Sequence, residues 1–148
     1  MNIGIGNDHT ALNLKQEILE FLSSEGYQVK NYGTDSLASV DYPQIAQKLA
    51  KDIGKEIDLG ILICGTGIGM CISANKVKGI RAAVGSDVYS AKLTKEHNDT
   101  QILCLGARVV GVEVAKLIVK TWLEAKFSGE RHQRRVDMIT KIEEGETL

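Results

Sequence analysis

Apolar positions along the chain change their period several times, and the changes mark the elements. Ile3-Gly4-Ile5-Gly6 alternates like a short strand and stops at Asn7-Asp8-His9. Ala11, Leu14, Ile18 and Leu22 recur at helical spacing, widened by Leu12, Leu19 and Phe21, so residues 11–24 predict a helix ended by Gly26. Residues 27–32 predict a second strand, closed by Gly33-Thr34-Asp35, and a polar loop follows to Asp41. Asp41-Tyr42-Pro43 is a helix-start pattern, with Ile45, Ala46, Leu49, Ala50 and Ile53 behind it and Gly54 as the stop. Leu59 to Cys64 is apolar throughout, as in a parallel strand covered on both faces. A glycine loop and a helix to about Lys76 come next. Residues 80–84 predict a fourth strand, 88–96 a helix capped by Ser86-Asp87, and 102–105 a fifth strand. Residues 112–126 predict a strong helix, and a charged segment over 129–146 carries Val136, Ile139 and Ile142 at near-helical spacing.

Strand and helix thus alternate about five times with no linker or internal repeat. The expected fold is α/β: a Rossmann-like three-layer α/β/α sandwich with a five-stranded parallel sheet and right-handed crossovers. At 148 residues the chain is one domain, 1–148. Ligands of such sheets bind beyond the carboxyl ends of the strands. That directs attention to Asp8-His9, to Cys64 and the loop after it, to Ser86-Asp87 and to Arg108. His97-Asn98, at the end of the helix after strand four, is grouped with them.

Composition narrows the chemistry. The chain is 43% hydrophobic and 25% charged, with a net charge of -1, which excludes a disordered tail and a nucleic-acid binder that uses its whole surface. No apolar run reaches the roughly 18 residues of a membrane span. The N-terminus lacks the basic start of a signal peptide. Cys64, Cys71 and Cys104 are an odd number among apolar neighbours, so free thiols in a reducing cytoplasm are expected. No cysteine pair or histidine cluster has metal-ligand spacing, and no metal or other cofactor is expected.

Fifteen glycines against one proline stand out, and three of them alternate through residues 65–69. Such a loop aims backbone N–H groups into a concavity, which suits a phosphate or a developing oxyanion. The dinucleotide fingerprint would need Gly where Met70 stands, and the P-loop would need Gly-Lys where Met70-Cys71 stand. The alternative is a tight turn with no ligand. Cys64, beside those amides, is placed to act as base or nucleophile; otherwise it is a small core residue, the reading favoured for Cys71 and Cys104. His97-Asn98 offers a proton carrier beside an amide, or a plain helix C-cap. Of five arginines, three fall in residues 131–135. Arg131 and Arg135 share a helix face, as a phosphate clamp would require. A solvated face is the alternative, and an RNA patch is disfavoured because no aromatics are interleaved.

These motifs resemble type B ribose-5-phosphate isomerases, a family shared with galactose-6-phosphate isomerase subunits. The resemblance runs through Asp8-His9, Asp41-Tyr42-Pro43, residues 63–69, Ala74-Asn75-Lys76, residues 97–100, residues 106–111 and residues 129–133. It implies metal-free interconversion of ribose 5-phosphate and ribulose 5-phosphate through a cis-enediolate, part of the pentose phosphate pathway. Cys64 would be the base and Asp8 would handle hydroxyl protons. His97, assisted by Thr66, would open the furanose ring, and Asn98 would bind the reacting oxygens. The amides of Gly65, Gly67, Ile68 and Gly69 would hold the enediolate oxygen. His9, Arg108, Arg131 and Arg135 would grip the phosphate, with Tyr42 and His132 lining the sugar. Met70 stands where some members carry a Glu base, which places the chain in the cysteine subgroup. The resemblance also implies a homodimer or homotetramer with each active site between subunits, and a C-terminal helix packed on the partner. Asn7 and Thr10 depart from the family's usual residues beside Asp8-His9. Allose 6-phosphate or galactose 6-phosphate as substrate, and a non-catalytic sugar-phosphate sensor, are the alternatives.

Overall fold

Five strands and six helices account for the chain, described over residues 1–148 in a computed structural model. They are β1 (Asn2–Asn7), α1 (Leu12–Ser24), β2 (Gln28–Asn31), α2 (Tyr42–Asp52), β3 (Leu59–Cys64), α3 (Ile68–Ala74), β4 (Ala82–Val84), α4 (Val88–Asn98), β5 (Ile102–Gly106), α5 (Val112–Glu124) and α6 (Arg131–Glu143). The strands lie in the order β2-β1-β3-β5-β4, and every pairing is parallel. The expected three-layer sandwich is the one observed.

The period of two along each strand sorts the core into its two layers. Ile3, Ile5, Ile61, Ile63, Leu103 and Leu105 face one way and pack with Leu14, Ile18 and Leu22 of α1 and Ile118, Val119 and Trp122 of α5. Leu62, Cys64, Ile102 and Cys104 face the other way, against Ala46, Leu49 and Ala50 of α2 and Met70 and Ala74 of α3. Small residues let α2 come close. A Cβ on Gly60 would lie 2.4 Å from Leu49 Cδ2, and one on Gly4 would lie 2.5 Å from Ile57 Cδ1. Several of the glycines therefore serve helix-on-sheet contact rather than a ligand.

Asp87 caps α4 as its position predicts, its Oδ1 accepting from the Ser90 amide at 2.7 Å. Tyr42 opens α2 with Pro43 in the first turn. Other boundaries shift. α3 stops at Ala74 because Asn75 turns its side-chain amide onto the edge strand: Nδ2 donates to the Ala82 carbonyl at 2.9 Å and Oδ1 accepts from the Ala82 amide at 2.8 Å. Ile80 and Arg81 fall outside β4, and the Arg81 carbonyl accepts from the Gln101 amide instead. α4 runs two residues past the predicted end, so that His97 and Asn98 form its last turn. α6 begins at Arg131 after Gly129 and Glu130, both with positive φ, and lies off the sandwich with its far end tied by the Glu143 carboxylate to the Gly79 amide. No helix is long and apolar enough to cross a membrane.

One contact between strand end and loop carries the site. A Cβ on Gly106 would sit 2.9 Å from three backbone atoms of Thr66. Gly106→Ala must push the two segments apart, and we expect a loss of about 1–3 kcal/mol. Urea unfolding measures it; an unchanged midpoint would show that the contact yields freely.

Candidate active site

Strand order places the first group of candidates. β1 and β3 are neighbours whose onward connections leave in opposite directions, and in such sheets ligands bind beyond the carboxyl ends of the strands at that point. Asp8 and Cys64 stand there, at the ends of the two strands. The Ala107 amide donates to the Cys64 carbonyl at 2.8 Å and the Arg108 amide to the Gly65 carbonyl at 3.0 Å. This lacing brings Arg108 beside the glycine loop, where a Cβ on Gly65 would lie 3.6 Å from its Cδ.

The loop is shaped by its own backbone. Gly67 has φ +78°, and a Cβ there would meet the Leu105 backbone at 3.0 Å, so only glycine suits the position. Its amide donates to Cys64 Sγ at 3.2 Å, and the Ile68 amide reaches the Thr66 hydroxyl at 3.4 Å. The amides of Gly65, Thr66 and Gly69 make no hydrogen bond within the chain. Gly69 answers to packing: a Cβ on it would lie 2.6 Å from the Tyr42 ring, which lies across it. Met70, at the position of the alternative Glu base, is fully buried in the core.

Asp8 and His9 are oriented by the turn that holds them. Asp8 is buried, and its Oδ1 accepts from the Thr10 amide at 2.9 Å and from the Thr10 hydroxyl at 2.6 Å. His9 Nδ1 accepts from the Val40 amide at 3.4 Å. With Nδ1 accepting, Nε2 is the ring nitrogen left to donate to a ligand. Asn7 is fully buried and joins two loops by donating to the carbonyls of Asp8 at 2.9 Å and Thr34 at 3.1 Å, while its Oδ1 has no partner.

The second group lies elsewhere, contrary to the grouping made from the sequence. α4 starts at the carboxyl edge of the sheet and runs back along it for eleven residues. At 1.5 Å per residue that is about 16 Å, the length of the strands themselves. His97 and Asn98 therefore sit at the amino edge, where Arg81, just before β4, donates to the Asn98 carbonyl at 2.8 Å. α6 meets them there. The His132 and His97 rings stack with centroids 4.1 Å apart and planes within 8°. Arg131 Nε donates to His132 Nε2 at 3.4 Å. Burial first, then the charges of His97, Arg131 and Arg135, hold His132 below the ordinary histidine value of 6.5. Arg131 and Arg135 are both exposed on α6. One chain thus holds Asp8, His9, Tyr42, Cys64, Thr66, the glycines of the loop and Arg108 at one edge. It holds His97, Asn98, Arg131, His132 and Arg135 at the other.

None of the three surface cavities, of about 310, 220 and 310 Å³, is lined by a residue of either group. No three His, Cys, Asp or Glu side chains converge as a metal site would require. That Thr10 holds Asp8 and Arg81 holds Asn98 is not legible in the sequence, because these contacts are revealed only by the fold.

The remaining thiols pair with each other. Cys104 is fully buried, and burial raises it well above the ordinary thiol value, so it keeps its proton. Its hydrogen bond lowers half-buried Cys71 to about 7. Alkylation of the native protein should therefore rise through about pH 7 at Cys71 while Cys104 stays unmodified. Peptide mass spectrometry after iodoacetamide reads both sites; equal labelling of Cys104 would contradict the arrangement.

The model of a ribose/galactose isomerase family matches residues 3–139. Ribose-5-phosphate isomerase B of Escherichia coli strain K12 is 51% identical over 143 residues, 96% of each chain. Among solved structures, ribose-5-phosphate isomerase B of Clostridium thermocellum superposes with a TM-score of 0.96 at 53% identity, covering 98% of this chain and 99% of that one. Ribose-5-phosphate isomerase B of Mycoplasma genitalium, solved with bound ribulose-5-phosphate, gives 0.93 at 42% identity, covering 98% and 97%.

Proposed function

This chain belongs to the ribose/galactose isomerase family and is a sugar-phosphate isomerase; we propose that it interconverts ribose 5-phosphate and ribulose 5-phosphate with Cys64 as the base. The observation that carries the reading is the Cys64 thiol at the end of β3, with the Gly67 amide at 3.2 Å. Loop amides without partners follow it, and Asp8 stands just beyond the neighbouring strand. A carbon acid next to a carbonyl needs both a placed base and a home for the oxyanion that forms.

The steps balance without a cofactor. In the closed sugar, the C1–O4 bond breaks and O4 takes a proton from His97, while O1 gives up its proton through the Thr66 hydroxyl to solvent, from which His97 is reprotonated, as the aldehyde forms. Cys64 then removes the proton from C2, and the electrons move onto O1. The enediolate is held by loop amides and by Asn98. Asp8 passes the O2 proton towards O1 while the thiol returns its proton to C1, giving the ketose. One base serves both carbons because they are adjacent. His9, with its Nε2 donor, Arg108, Arg131 and Arg135 hold the phosphate, and Tyr42 and His132 line the sugar.

These groups stand at two edges of one chain, so the site is shared. Ile139 and Ile142 are exposed on α6, and we assign this face to the partner. A dimer brings the carboxyl edge of one copy to the amino edge of the other, and two-fold symmetry then makes two identical sites. The sensor reading gives way, because thiol, carboxylate and histidine are all present. Six-carbon sugar phosphates are tested by comparing kcat/KM for ribose, allose and galactose phosphates.

Subunit complementation tests base and shared site together. Cys64→Ala and His97→Asn should each be inactive. Random mixing of the two should restore about a quarter of wild-type activity, because half of the two-fold dimers then hold one intact site. Mixed dimers without activity would place both residues in a site made by one chain. Wild-type deuterium exchange at C2 in Cys64→Ala would remove the thiol as base. Arg135→Ala should raise KM more than it lowers kcat, as uniform binding of a phosphate predicts; steady-state kinetics with an unchanged KM would take Arg135 out of the phosphate site.

A further inference from the structure

The last turn of α4 is gripped from two sides. Below it, Arg81 donates through Nε to the Asn98 carbonyl at 2.8 Å, and through a terminal nitrogen to the Asp99 carbonyl at 2.9 Å and carboxylate at 3.2 Å. Asp99 takes the left-handed conformation that ends the helix. Beside it, the His132 ring covers the His97 ring at 4.1 Å with the planes almost parallel. The connector before α6 is tied to the same turn, since the Ser128 amide donates to the Glu96 carbonyl at 2.9 Å.

We propose that His132 is the positioning residue for ring opening: its stacked, uncharged ring sets the plane of His97, so that one His97 nitrogen meets the furanose ring oxygen. The inference rests on the isomerase reading above. It gives His132 a task other than lining the sugar, which is all that the resemblance implies.

Three observations support it. First, the stack is the contact that fixes the ring plane. Arg81 anchors the backbone of the turn, but the torsion at the imidazole end of a histidine is soft. Proton transfer needs hydrogen-bond reach and alignment, so a ring free to turn would lose much of its rate. Second, His132 is itself locked. It is 8% exposed, and Arg131 Nε donates to its Nε2 at 3.4 Å. A nitrogen that accepts bears no proton, so this ring is neutral with its hydrogen on Nδ1. Third, the charges around it oppose its protonation. His97 faces it from α4, Arg131 and Arg135 from its own helix; all act with burial to keep it neutral, and only Glu130, at the cap, acts the other way. A neutral ring can lie against His97 whether His97 holds its proton or has just released it. A charged ring at 4.1 Å would repel the protonated form and open the stack.

Two reactions of the same protein separate this role from general damage. Conversion of ribose 5-phosphate starts from a closed ring. Wash-in of solvent deuterium at C1 of ribulose 5-phosphate starts from an open chain and needs no ring opening. His132→Ala should slow the first at least about tenfold more than the second, as loss of alignment at one proton transfer predicts. His132→Phe, which keeps a stacked ring without a titrating nitrogen, should recover most of the difference. Equal slowing of both reactions, or no recovery with Phe, overturns the proposal. In the wild-type protein the ring protons of His97 should be shifted upfield in the NMR spectrum by the ring beneath them; unshifted resonances also overturn it, whether or not the variants fold. Wild-type protein that converts ribose 5-phosphate but shows no such selectivity in the variants defeats this inference alone. Wild-type protein that converts neither sugar defeats the isomerase reading with it.

Discussion

The common direction of the five strands governs where every functional group can stand. In a parallel sheet each connecting helix runs back against its strands, so a residue at the end of a strand and a residue at the end of the next helix lie at opposite edges. Asp8 follows β1, Cys64 ends β3 and Arg108 follows β5, and all three share the carboxyl edge. His97 and Asn98 end a helix and are carried to the amino edge, where Arg131, His132 and Arg135 join them from α6. No local adjustment can bring the two groups together, because about 16 Å of helix separates them. A reaction that uses both, as proposed above, needs a second copy, with the carboxyl edge of one copy meeting the amino edge of the other.

The same constraint sorts the glycines. Gly4 and Gly60 have no side chain because α2 must lie close to the sheet. Gly69 is bare because Tyr42 lies across it, and Gly106 because the Thr66 backbone passes within contact. Only Gly67 combines a left-handed backbone with an amide that donates to the Cys64 sulfur. An alternating glycine loop is easily read as a cradle of equivalent amides. Here its members do different things, and the Gly67 amide serves the thiol.

Much of this was legible from the sequence. Hydrophobic period alone gives five strands, six helices and a parallel sandwich, because continuous apolar runs such as residues 59–64 belong to strands covered on both faces. The motif residues could be placed on their elements for the same reason. What the periodicity does not contain is the edge at which a helix ends, so His97 was grouped with the strand ends. Hydrogen bonds between segments distant in sequence were also invisible: His9 with Val40 is 31 residues apart, and Arg81 with Asn98 is 17. Asn75 ended α3 early for a like reason, since its partner strand is identified only by the fold.

Each group is oriented within its own chain. Thr10 holds the Asp8 carboxylate, Val40 the His9 ring, Gly67 the Cys64 sulfur, and His132 and Arg81 hold the turn of His97 and Asn98. Ordering a side chain during association costs roughly 0.5–1.5 kcal/mol. Side chains already oriented in the single chain do not incur that cost when two edges meet. A site shared between copies can then be as preorganised as one built within a single chain, which is what stabilising a developing oxyanion demands. Arg135 is the exception: unlike Arg131, which donates to His132, its side chain makes no hydrogen bond within the chain. Under the proposed function, the ordering that remains therefore falls on a group that recognises substrate rather than on those that move its protons.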